Sequence, residues 1–435
     1  MNPEDPATPA DPAGMAGVDL ASRWLGAGVV AASDESFGFK ENLLVPAAAD
    51  FVPGRYDHRG EIVDGWETRR RRGEPGHDWA IIRLGAPGVI TGVDVDTSFF
   101  TGNYPPYCHV EACGMEGYPG VDELTSPDAG WIEIVPRSPL KGDGHNVFAV
   151  SDPRRFTHVR LSIHPDGGVA RLRVHGEVVP DPRHWDGLTF DLAGQDQGGL
   201  VVGSSDAFYT SAELLNRPDR ARTMGEGWET GRRRDDGHDF AVIRLAATGR
   251  LRQVEIDTSH FKYNASAEVA LYGRAPGDGG LRDGTLGLGD GGLGDRGLGD
   301  GGLGDGGLGD GAPPSEPGSP PWFPVLPRTR IRPDTRHVFT LREPGEAVTA
   351  VRIDAFPDGG ISRVRLVGAV EPSARIRAGL RWFNALPESQ AASCLAAEGV
   401  PEADIAGALA ARPLSGDLPG GIAGEVLAYL IRGRA

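Results

Sequence analysis

Apolar and polar residues alternate with a period of two in many short segments of the chain. In VITGVDVDTSFF, Val93 and Val95 alternate with Asp94 and Asp96. A strand with this period places its apolar side chains on one face and its polar side chains on the other. The preceding segment, HDWAIIRL, also alternates, so the sequence predicts two successive strands here.

The same patterns recur because the chain contains one module twice. GWETRRRRGEPGHDWAIIRLG begins at Gly65, and GWETGRRRDDGHDFAVIRLA begins at Gly227. LRQVEIDTSHF repeats the alternation, with Glu255 and Asp257 on its polar face. The first copy has a longer loop between Phe37 and Trp66. Any account of function must therefore explain a pair of modules.

Turn signals separate the predicted strands. Each copy closes with a predicted hairpin, VRLSIHPDGGVARLRVHG in the first and VRIDAFPDGGISRVRLVG in the second, in which Pro-Asp-Gly-Gly marks a tight turn. Many short strands with Gly/Pro turns and little helix are typical of sandwiches and jelly rolls. The predicted fold class is all-β, with two tandem jelly-roll β-sandwich domains and a short helical C-terminal tail.

Composition divides the chain into segments. Residues 1–17 are acidic and rich in Pro and Ala, which predicts a disordered leader, and VDLASRWLG after it suggests a short helix. The two repeats are expected at 18–182 and 183–371, and the Ala/Leu-rich tail at 372–435. Residues 275–320 hold a Gly/Asp-rich insertion that cannot bury enough apolar surface to order itself. Its short period lacks the pattern of calcium-binding β-roll repeats.

Charge and cysteine content limit the function classes. The chain has 44 Lys and Arg against 61 Asp and Glu, a net charge of −17, which argues against nucleic-acid and membrane-surface partners. Three scattered cysteines do not indicate a disulfide framework or a thiol-rich zinc site. No signal-peptide pattern or apolar run of membrane-spanning length occurs, so a cytoplasmic protein is expected. An anionic substrate would need a local cluster of arginines.

Four segments of the first copy, which occur in order along the chain, resemble the allantoicase family: LASRWLGAGVVAASDESFGFKENLL, DGWETRRRRGEPGHDWAIIRLG, GVDVDTSFFTGNYPP and HPDGGVARLRVHGEV. The resemblance extends from about Val18 to Val370, interrupted by the insertion. It implies two tandem jelly-roll repeats and hydrolysis of allantoate, a small anion with two ureido groups on one carbon, to ureidoglycolate and urea.

The tail segment FNALPESQAASCLAAEGV is similar to the opening of the ureidoimidazoline decarboxylase family. No histidine follows His337 to supply that family's histidine chemistry, so the tail is predicted to be non-catalytic. Its apolar residues Leu427, Leu430 and Ile431 are expected to dock on a sandwich or on another subunit, which leaves a homo-oligomer open.

Cleavage of allantoate needs a cation for the carboxylate, an acid for the departing urea and a base for water. Forked arginine donors suit a carboxylate, and loop residues at strand ends are frequent site residues. The predicted acid–base residues are Glu67, His77, Asp78, Asp96, Glu229, His238, Asp239, Asp257 and His260. The predicted substrate-binding residues are Arg69, Arg70, Asn103, Arg232, Arg233 and Asn264.

Each of these residues also has a purely structural interpretation. Trp66 and Trp228 fit core or lid positions, and the arginine runs and histidines fit solvated or turn-ordering roles. The paired acidic positions fit a solvated exterior face. His164 matches Phe356 in the other copy, which favours an aromatic packing position.

A divalent metal, manganese or zinc, is a further possibility. His77, Asp78, His238, Asp239 and His260 offer the nitrogen and oxygen ligands that such ions accept. Their spacing matches no recognised metal motif, so the ligand set stays unassigned. Phe99 occupies the position of His260 in the first copy, so the copies are not equivalent and one repeat is expected to dominate.

Two other function classes remain open. Jelly-roll domains often bind sugars, so a carbohydrate- or small-anion-binding module without catalysis is the main alternative. A structural protein that assembles through its repeats is the other. The Arg, His and Asp density of the repeated motif favours an enzyme that acts on a small anion.

The sequence also predicts where the site lies. The His-Asp pair opens one predicted strand, and Asp96 or Asp257 closes the next. If these strands are antiparallel neighbours, the start of one lies beside the end of the other. The GWET loop, the His-Asp pair and the strand-ending Asp are therefore expected to converge at one end of each sandwich.

The insertion is expected to be dispensable, because lengthening a flexible loop adds little closure entropy. Replacing about Gly280 to Gly311 with a short Gly/Ser linker should leave the melting temperature and the catalytic rate nearly unchanged. Calorimetry and a turnover assay on both proteins check this. A large loss of either would show that the insertion packs or contributes to a site.

Overall fold

The computed structural model describes residues 17–277, 322–341, 345–416, 418 and 420–433. The predicted leader, apart from its last residue, and most of the insertion lie outside the described residues. The chain divides into two compact units. The first consists of Met1–Asp186, Gln195–Gly198 and Arg375–Ala435, and the second of Gly187–Gly194 and Gly199–Ala374.

The first repeat is built almost entirely of strands. Its strands are β1 (Val18–Asp19), β2 (Gly28–Ala32), β3 (Tyr56–Asp57), β4 (Gly60–Glu61), β5 (Trp66–Glu67), β6 (Asp78–Asp96), β7 (Tyr107–Cys113), β8 (Ile132–Pro139), β9 (His145–Ala149), β10 (Arg155–His164), β11 (Gly168–Val169) and β12 (Arg171–Val178). One short helix, α1 (Val121–Thr125), and 3-10 turns at Arg23–Leu25, Lys40–Leu44, Pro127–Ala129 and Pro182–Trp185 complete its described part. The short helix predicted in VDLASRWLG is only β1 followed by a 3-10 turn.

Strand β6 organises the first repeat. The sequence predicted two strands over Asp78–Asp96, and the structure has a single strand of 19 residues. Its first half pairs with β2 and β10, and its second half pairs with β12 and β9. The change of partners occurs near Gly88, which pairs with both Phe156 and Val178. The first half of the strand therefore lies on one side of the fold, and the second half lies on the other.

The closing hairpin predicted from Pro-Asp-Gly-Gly is wrong. The sheet order is β1-β12-β6-β10-β7-β8, so β10 and β12 lie on opposite sides of β6 and do not pair with each other. The turn between them instead crosses from one half of β6 to the other, and its residues form β11, which pairs with β5.

Apolar side chains from both halves of β6 fill a single core. Ala80, Ile82 and Leu84 come from the first half, and Val93 and Val95 from the second. The period-two alternation read from the sequence therefore does identify the core-facing residues. Burial of these side chains from water is the main favourable contribution to the stability of the repeat.

The second repeat has the same arrangement. Its strands are β13 (Phe190–Asp191), β14 (Leu200–Ser204), β15 (Trp228–Glu229), β16 (Asp239–Asp257), β17 (Glu268–Arg274), β18 (Trp322–Arg330), β19 (Arg336–Thr340), β20 (Val348–Phe356), β21 (Gly360–Ile361) and β22 (Arg363–Val370). The order β13-β22-β16-β20-β17-β18 repeats that of the first sheet, with β16 in the place of β6. Three 3-10 turns occur at Gln195–Gln197, Ala212–Leu214 and Met224–Glu226. The all-β prediction of two tandem jelly-roll sandwich domains is confirmed.

The tail forms four helices: α2 (Pro372–Ala385), α3 (Glu388–Ala397), α4 (Glu402–Ala410) and α5 (Gly421–Arg432). From Arg375 onward it belongs to the first unit, where Leu427 and Leu430 share an apolar cluster with Val179. Arg375 donates from Nε to Asp186 at 2.7 Å, and Gln390 donates to Glu116 at 2.9 Å. No helix in the described part of the chain is long and apolar enough to cross a membrane.

We predict that Leu427→Ala lowers the stability of the first unit by about 2–5 kcal/mol, because it opens a cavity in the cluster shared with Val179. Ile422→Ala is the matched control, since Ile422 lies on the same helix and is 53% exposed. Scanning calorimetry should show a lower melting temperature for the Leu427 variant alone. Equal melting temperatures would mean that the tail contributes nothing to the folded unit.

Candidate active site

The turn between β10 and β12 joins the two ends of β6. The amide of Asp78 donates to the carbonyl of Pro165 at 3.1 Å, and the amide of Ala170 donates to the carbonyl of Asp96 at 2.8 Å. In the second repeat, Ser362 donates in the same way to the carbonyl of Asp257 at 2.8 Å. Both ends of the long strand therefore lie at one end of each repeat, which we call the motif end.

The same turn also reaches the other predicted site segments. The amide of Thr68 donates to Gly167 at 3.1 Å, and the amide of Gly168 donates to the carbonyl of Asn103 at 2.8 Å. The predicted convergence of the GWET segment, the His-Asp pair and the strand-ending Asp is therefore confirmed. The reason given for it is wrong, because these groups lie at the two ends of one strand and not on neighbouring strands.

The two motif tryptophans are core residues. Trp66 and Trp228 are fully buried. Their indole nitrogens donate to the carbonyls of Asp34 at 2.7 Å and Asp206 at 2.9 Å. A buried Trp needs such a partner for its single donor. The tryptophans anchor the motif to the Ser-Asp loop, as the core interpretation predicted, and leave the next residue, Glu67 or Glu229, free to contact the Asn loop.

Glu67 and Asn103 form a direct pair at the motif end. Asn103 Nδ2 donates to Glu67 Oε1 at 2.7 Å, and Asn264 donates to Glu229 at 2.5 Å in the second repeat. Burial raises the pKa of the Glu67 carboxyl, against the lowering effects of the Asn103 hydrogen bond and the Arg70 charge. A carboxyl with a raised pKa holds its proton to higher pH and suits a general acid.

The arginines of the motif divide into two groups. Arg70 Nη1 lies 3.1 Å from Asp166 Oδ1, and the Arg70 side chain is 48% exposed. Arg71 lies one residue further on and binds Asp78 Oδ1 at 2.8 Å. Arg233, its counterpart in the second repeat, binds Asp239 at 3.0 Å.

This division changes the interpretation of Arg233. It was predicted to bind substrate, but its guanidinium lies between Asp239 and Asp235, at 3.0 and 3.1 Å. Arg69, Arg70 and Arg232 are exposed. The structure therefore presents these three arginines, and not Arg233, as cations with access to a ligand.

Asp78 and Asp239 are almost fully buried at the starts of the long strands. Their Oδ1 atoms accept hydrogen bonds from Ser33 at 3.0 Å and Ser205 at 2.8 Å, besides those from the arginines. Their Oδ2 atoms have no hydrogen-bond partner among the described residues. Buried polar atoms are usually satisfied, so the same unpartnered oxygen in both repeats marks a position for a further donor.

Asp96 and Asp257 close local turns. Asp96 Oδ1 accepts from the amide of Ser98 at 2.8 Å and its hydroxyl at 2.6 Å, and Asp257 does the same with Ser259 at 2.9 and 2.6 Å. Both aspartates are buried, so the solvated exterior interpretation of these positions is wrong. Their oxygens shape the backbone at the motif end.

His77 belongs to a cluster of three histidines at the starts of β6 and β7 and the end of β10. Its ring lies 4.6 Å from that of His164 and 5.5 Å from that of His109. His109 Nδ1 and His164 Nε2 are 2.8 Å apart. Burial, together with the charges of the neighbouring His77 and His109, lowers the pKa of His164 to about 4. The pKa of His77 is also lowered, mainly by burial.

The second repeat lacks this cluster. His238 lies 3.0 Å from Asp354 through its Nε2 and packs against the ring of Phe356 at 4.5 Å. Phe356 takes the position of His164, so aromatic packing is present in both copies, as predicted. His260 is also specific to its copy, because Phe99 takes its position in the first copy. The ring Nε2 of His260 lies 3.0 Å from the carbonyl oxygen of Ala221.

The metal ligands proposed from the sequence do not fit a shared ion. Asp78 and Asp239 are bound by serine and arginine, and His77, His238 and His260 have the separate neighbours given above. No group of three His, Cys, Asp or Glu residues within the described ranges has a metal-binding arrangement. Manganese or zinc at these residues therefore stays a prediction without a defined site.

Sequence reasoning missed Asp166 and His109. Asp166 is buried and binds both the Arg70 side chain and the Arg71 amide, the latter at 2.7 Å. The signal was available, because Asp358 repeats it in the second Pro-Asp-Gly-Gly turn and accepts from the Arg233 amide at 3.2 Å. His109 gave no such signal, since Ala270 replaces it in the second copy.

Comparison with known proteins agrees with this architecture. The sequence model of a family described as "Allantoicase repeat" matches residues 18–179 and 190–371. A probable allantoicase of Streptomyces coelicolor is 44% identical over 373 residues, which cover 83% of this chain and 88% of that protein. One from Nocardia farcinica is 46% identical over 350 residues, 80% of this chain and 93% of that protein.

A solved structure gives the same result. The crystal structure of allantoicase from Saccharomyces cerevisiae superposes with a TM-score of 0.62 at 30% identity, covering 82% of this chain and 94% of that one. The family match ends at residue 371, so helices α2 to α5 lie outside it. With the family matched in both repeats and relatives above 30% identity over most of its length, the chain belongs to the allantoicase family.

Proposed function

We propose that this chain hydrolyses allantoate to ureidoglycolate and urea. The observation that supports this most strongly is the motif end, where an exposed arginine, a carboxyl with a raised pKa and a buried carboxylate are joined by one turn. Membership of the allantoicase family supports the same reaction.

The reaction breaks the bond between the central carbon of allantoate and one ureido nitrogen. That nitrogen takes a proton and leaves as urea, and a water oxygen bonds to the central carbon to give ureidoglycolate. The water loses one proton, so one group must donate a proton and another must accept one. The carboxylate of the substrate stays on the central carbon throughout and serves as its anchor.

We assign the proton donor to Glu67. Its pKa is raised by burial, and Asn103 holds one of its oxygens at 2.7 Å, which fixes the direction of the carboxyl. Arg70 is the exposed cation beside the Asn103 loop, since its Nη2 donates to the carbonyl of Gly102 at 3.3 Å. Arg70 therefore keeps a positive charge close to the Asn103 and Glu67 pair.

We assign the water to Asp78, whose Oδ2 is buried and has no hydrogen-bond partner among the residues that the structure describes. Ser33 and Arg71 hold the other oxygen, so the carboxylate has a fixed direction. A carboxylate held in this way can accept the water proton without reorganisation. Glu229, Asp239 and Asn264 offer a similar set in the second repeat.

Further features of the protein follow from this proposal. The protein has a net charge of −17 and acts on a small anionic metabolite in this proposal. It is therefore expected in the cytoplasm, without nucleic-acid or membrane partners. A homo-oligomer and a divalent metal remain proposals. Metal analysis of the purified protein, and the turnover rate after chelation and after adding back manganese or zinc, test the second.

The direct test is urea release from allantoate by the purified chain, with and without added divalent metal. We expect urea and ureidoglycolate in equal amounts. Absence of urea release under all these conditions would overturn the proposed function. A carbohydrate-binding protein, the main alternative from the sequence, would give that negative result.

We predict that Glu67→Gln lowers kcat by about 10²-fold or more while the melting temperature stays unchanged, because the amide cannot donate an acid proton. The raised pKa adds a pH signature. Wild-type kcat should fall as pH rises through the pKa of Glu67, since only the protonated carboxyl acts as the acid, and the variant should lose this dependence.

Glu229→Gln is the matched control, because Glu229 makes the same contact with Asn264 in the other repeat. A loss confined to the Glu67 variant places the chemistry in the first repeat. Full activity of the Glu67 variant would contradict the assignment. Loss of the melting transition together with activity would show that Glu67 is structural.

A further inference from the structure

The longer loop of the first repeat lines a cavity that is open to solvent. It has a volume of about 390 Å³ and is lined by residues of the segments 37–42 and 50–64. Small-molecule sites typically measure about 300–1,000 Å³, so the cavity is large enough for a compact metabolite. None of the acid–base assignments above uses it.

One wall of this loop cavity is a small hairpin that is pinned in place. Strands β3 and β4 form it through the pairs Tyr56 with Glu61 and Asp57 with Gly60. The Arg59 guanidinium lies 3.8 Å from the centre of the Phe39 ring, and its Nη1 donates to the carbonyl of Glu35 at 2.9 Å. The hairpin is thereby held against the opposite wall, so the loop cavity is a preformed feature.

Arg55 is the only arginine among the residues that line the loop cavity. It is exposed, and its guanidinium has neither an ion pair nor a hydrogen bond with any residue that the structure describes. Most neighbouring arginines, such as Arg59 and Arg71, have partners. An arginine with five unused donors beside a cavity suits a carboxylate ligand, which its planar fork binds through two oxygens.

The carboxylates of the loop cavity differ in availability. Asp64 is neutralised by the buried Arg171 at 2.6 Å, and its Oδ2 also accepts the amide of Asp50. Asp50 and Asp57 are exposed, and neither forms an ion pair in the described part of the chain. They offer acceptors for N–H groups close to the cation of Arg55.

Apolar side chains are exposed around the same opening. Phe37, Phe39, Val52 and Ile62 are each 43–48% exposed, although the core of the unit is close by. Convergent polar groups within an apolar surround are typical of ligand sites. A bound ligand would remove these surfaces from water.

The loop cavity is also joined to the acid assigned above. Gly38, one of its lining residues, donates its amide to the carbonyl of Glu67 at 3.1 Å and accepts from the Glu67 amide at 3.3 Å. A ligand in the loop cavity therefore lies against the strand that holds the proton donor.

We infer that the loop cavity binds a ureido carboxylate, with the carboxylate on Arg55 and the ureido N–H groups directed at Asp50 and Asp57. This inference rests on the proposed function. It extends that function by assigning substrate recognition to the first repeat. The second repeat has a shorter segment in place of this loop, so the two copies differ in substrate binding even where their acid–base residues match.

The test compares steady-state kinetics of five variants of the full chain with allantoate as substrate. Arg55→Ala should raise KM by roughly tenfold or more with little change in kcat, because one charge-assisted anchor is lost. Arg55→Lys keeps the positive charge but loses the forked guanidinium, so its KM should lie between those of the wild type and Arg55→Ala. Arg220→Ala is the control, since Arg220 is an exposed arginine without a described partner in the shorter counterpart loop.

The fourth variant fills the loop cavity. Val52→Trp places a large side chain at a position that is 47% exposed, so folding is expected to survive and KM to rise. Val121→Trp, at a position 42% exposed on α1, is its control. Unchanged melting temperatures show that these variants remain folded.

The two levels of the proposal fail differently. An active wild type with unchanged KM in both Arg55→Ala and Val52→Trp overturns the loop cavity as the substrate site and leaves the reaction standing. A wild type that releases no urea overturns the reaction and the loop cavity assignment with it. A rise in KM that Arg220→Ala matches would reduce the Arg55 effect to general charge and also overturn the assignment.

Discussion

The motif end depends on the bend in the long strand of each repeat. If β6 were straight, its 19 residues would place Asp78 and Asp96 at opposite ends of the domain. The strand changes partners at Gly88, where a Cβ atom would lie 2.3 Å from the carbonyl oxygen of Glu177. Only glycine permits that approach. The bend brings the two strand ends to one turn, and this juxtaposition assembles the polar groups.

The buried charges at this end depend on the same geometry. Asp78 is tolerated at the start of β6 because Ser33 and Arg71 hold one of its oxygens. Asp166 satisfies the Arg71 amide and part of Arg70 from the neighbouring turn. Removing one partner would leave a buried charge uncompensated, which is more costly than the loss of a single hydrogen bond. The proposed site residues of the motif therefore also have structural roles, and repetition of the motif alone could not separate the two.

Much of this architecture could be predicted from the sequence. Alternation along Val93–Asp96 identified the core face, and the repeated motif identified the segments that meet at the motif end. The continuity of β6 could not be read, because its two halves resemble two strands when partners are unknown. The hairpin prediction failed for the same reason, since Pro-Asp-Gly-Gly signals a turn without saying whether the flanking strands pair.

The candidate site was less accessible to sequence reasoning. The repeat comparison found Glu67 and Asn103, which recur in both copies, and passed over His109, which does not. The ion pairs of Arg233 with Asp239 and Asp235 depend on side-chain packing, which the spacing of residues in the sequence does not reveal. The same holds for Arg55, which lines a cavity and has no ion pair or side-chain hydrogen bond with the described residues.

The two repeats thus share a scaffold and differ in what it presents. The first has a histidine cluster and the loop cavity, whereas the second has His238 paired with Asp354 and a shorter loop. The proposed acid–base residues are duplicated, but these differences mean that the duplicated scaffold does not require two equal sites. We place substrate binding in the loop cavity of the first repeat, against the strand that holds Glu67.

Hydrogen-exchange mass spectrometry of the full-length Glu67→Gln variant, with and without allantoate, tests that placement most directly. Local exchange reports which segments a bound ligand stabilises. We expect slower exchange in residues 37–67 and 100–105, with exchange in residues 205–230 unchanged. Slower exchange confined to residues 205–230, or none in the first repeat at saturating allantoate, would contradict it.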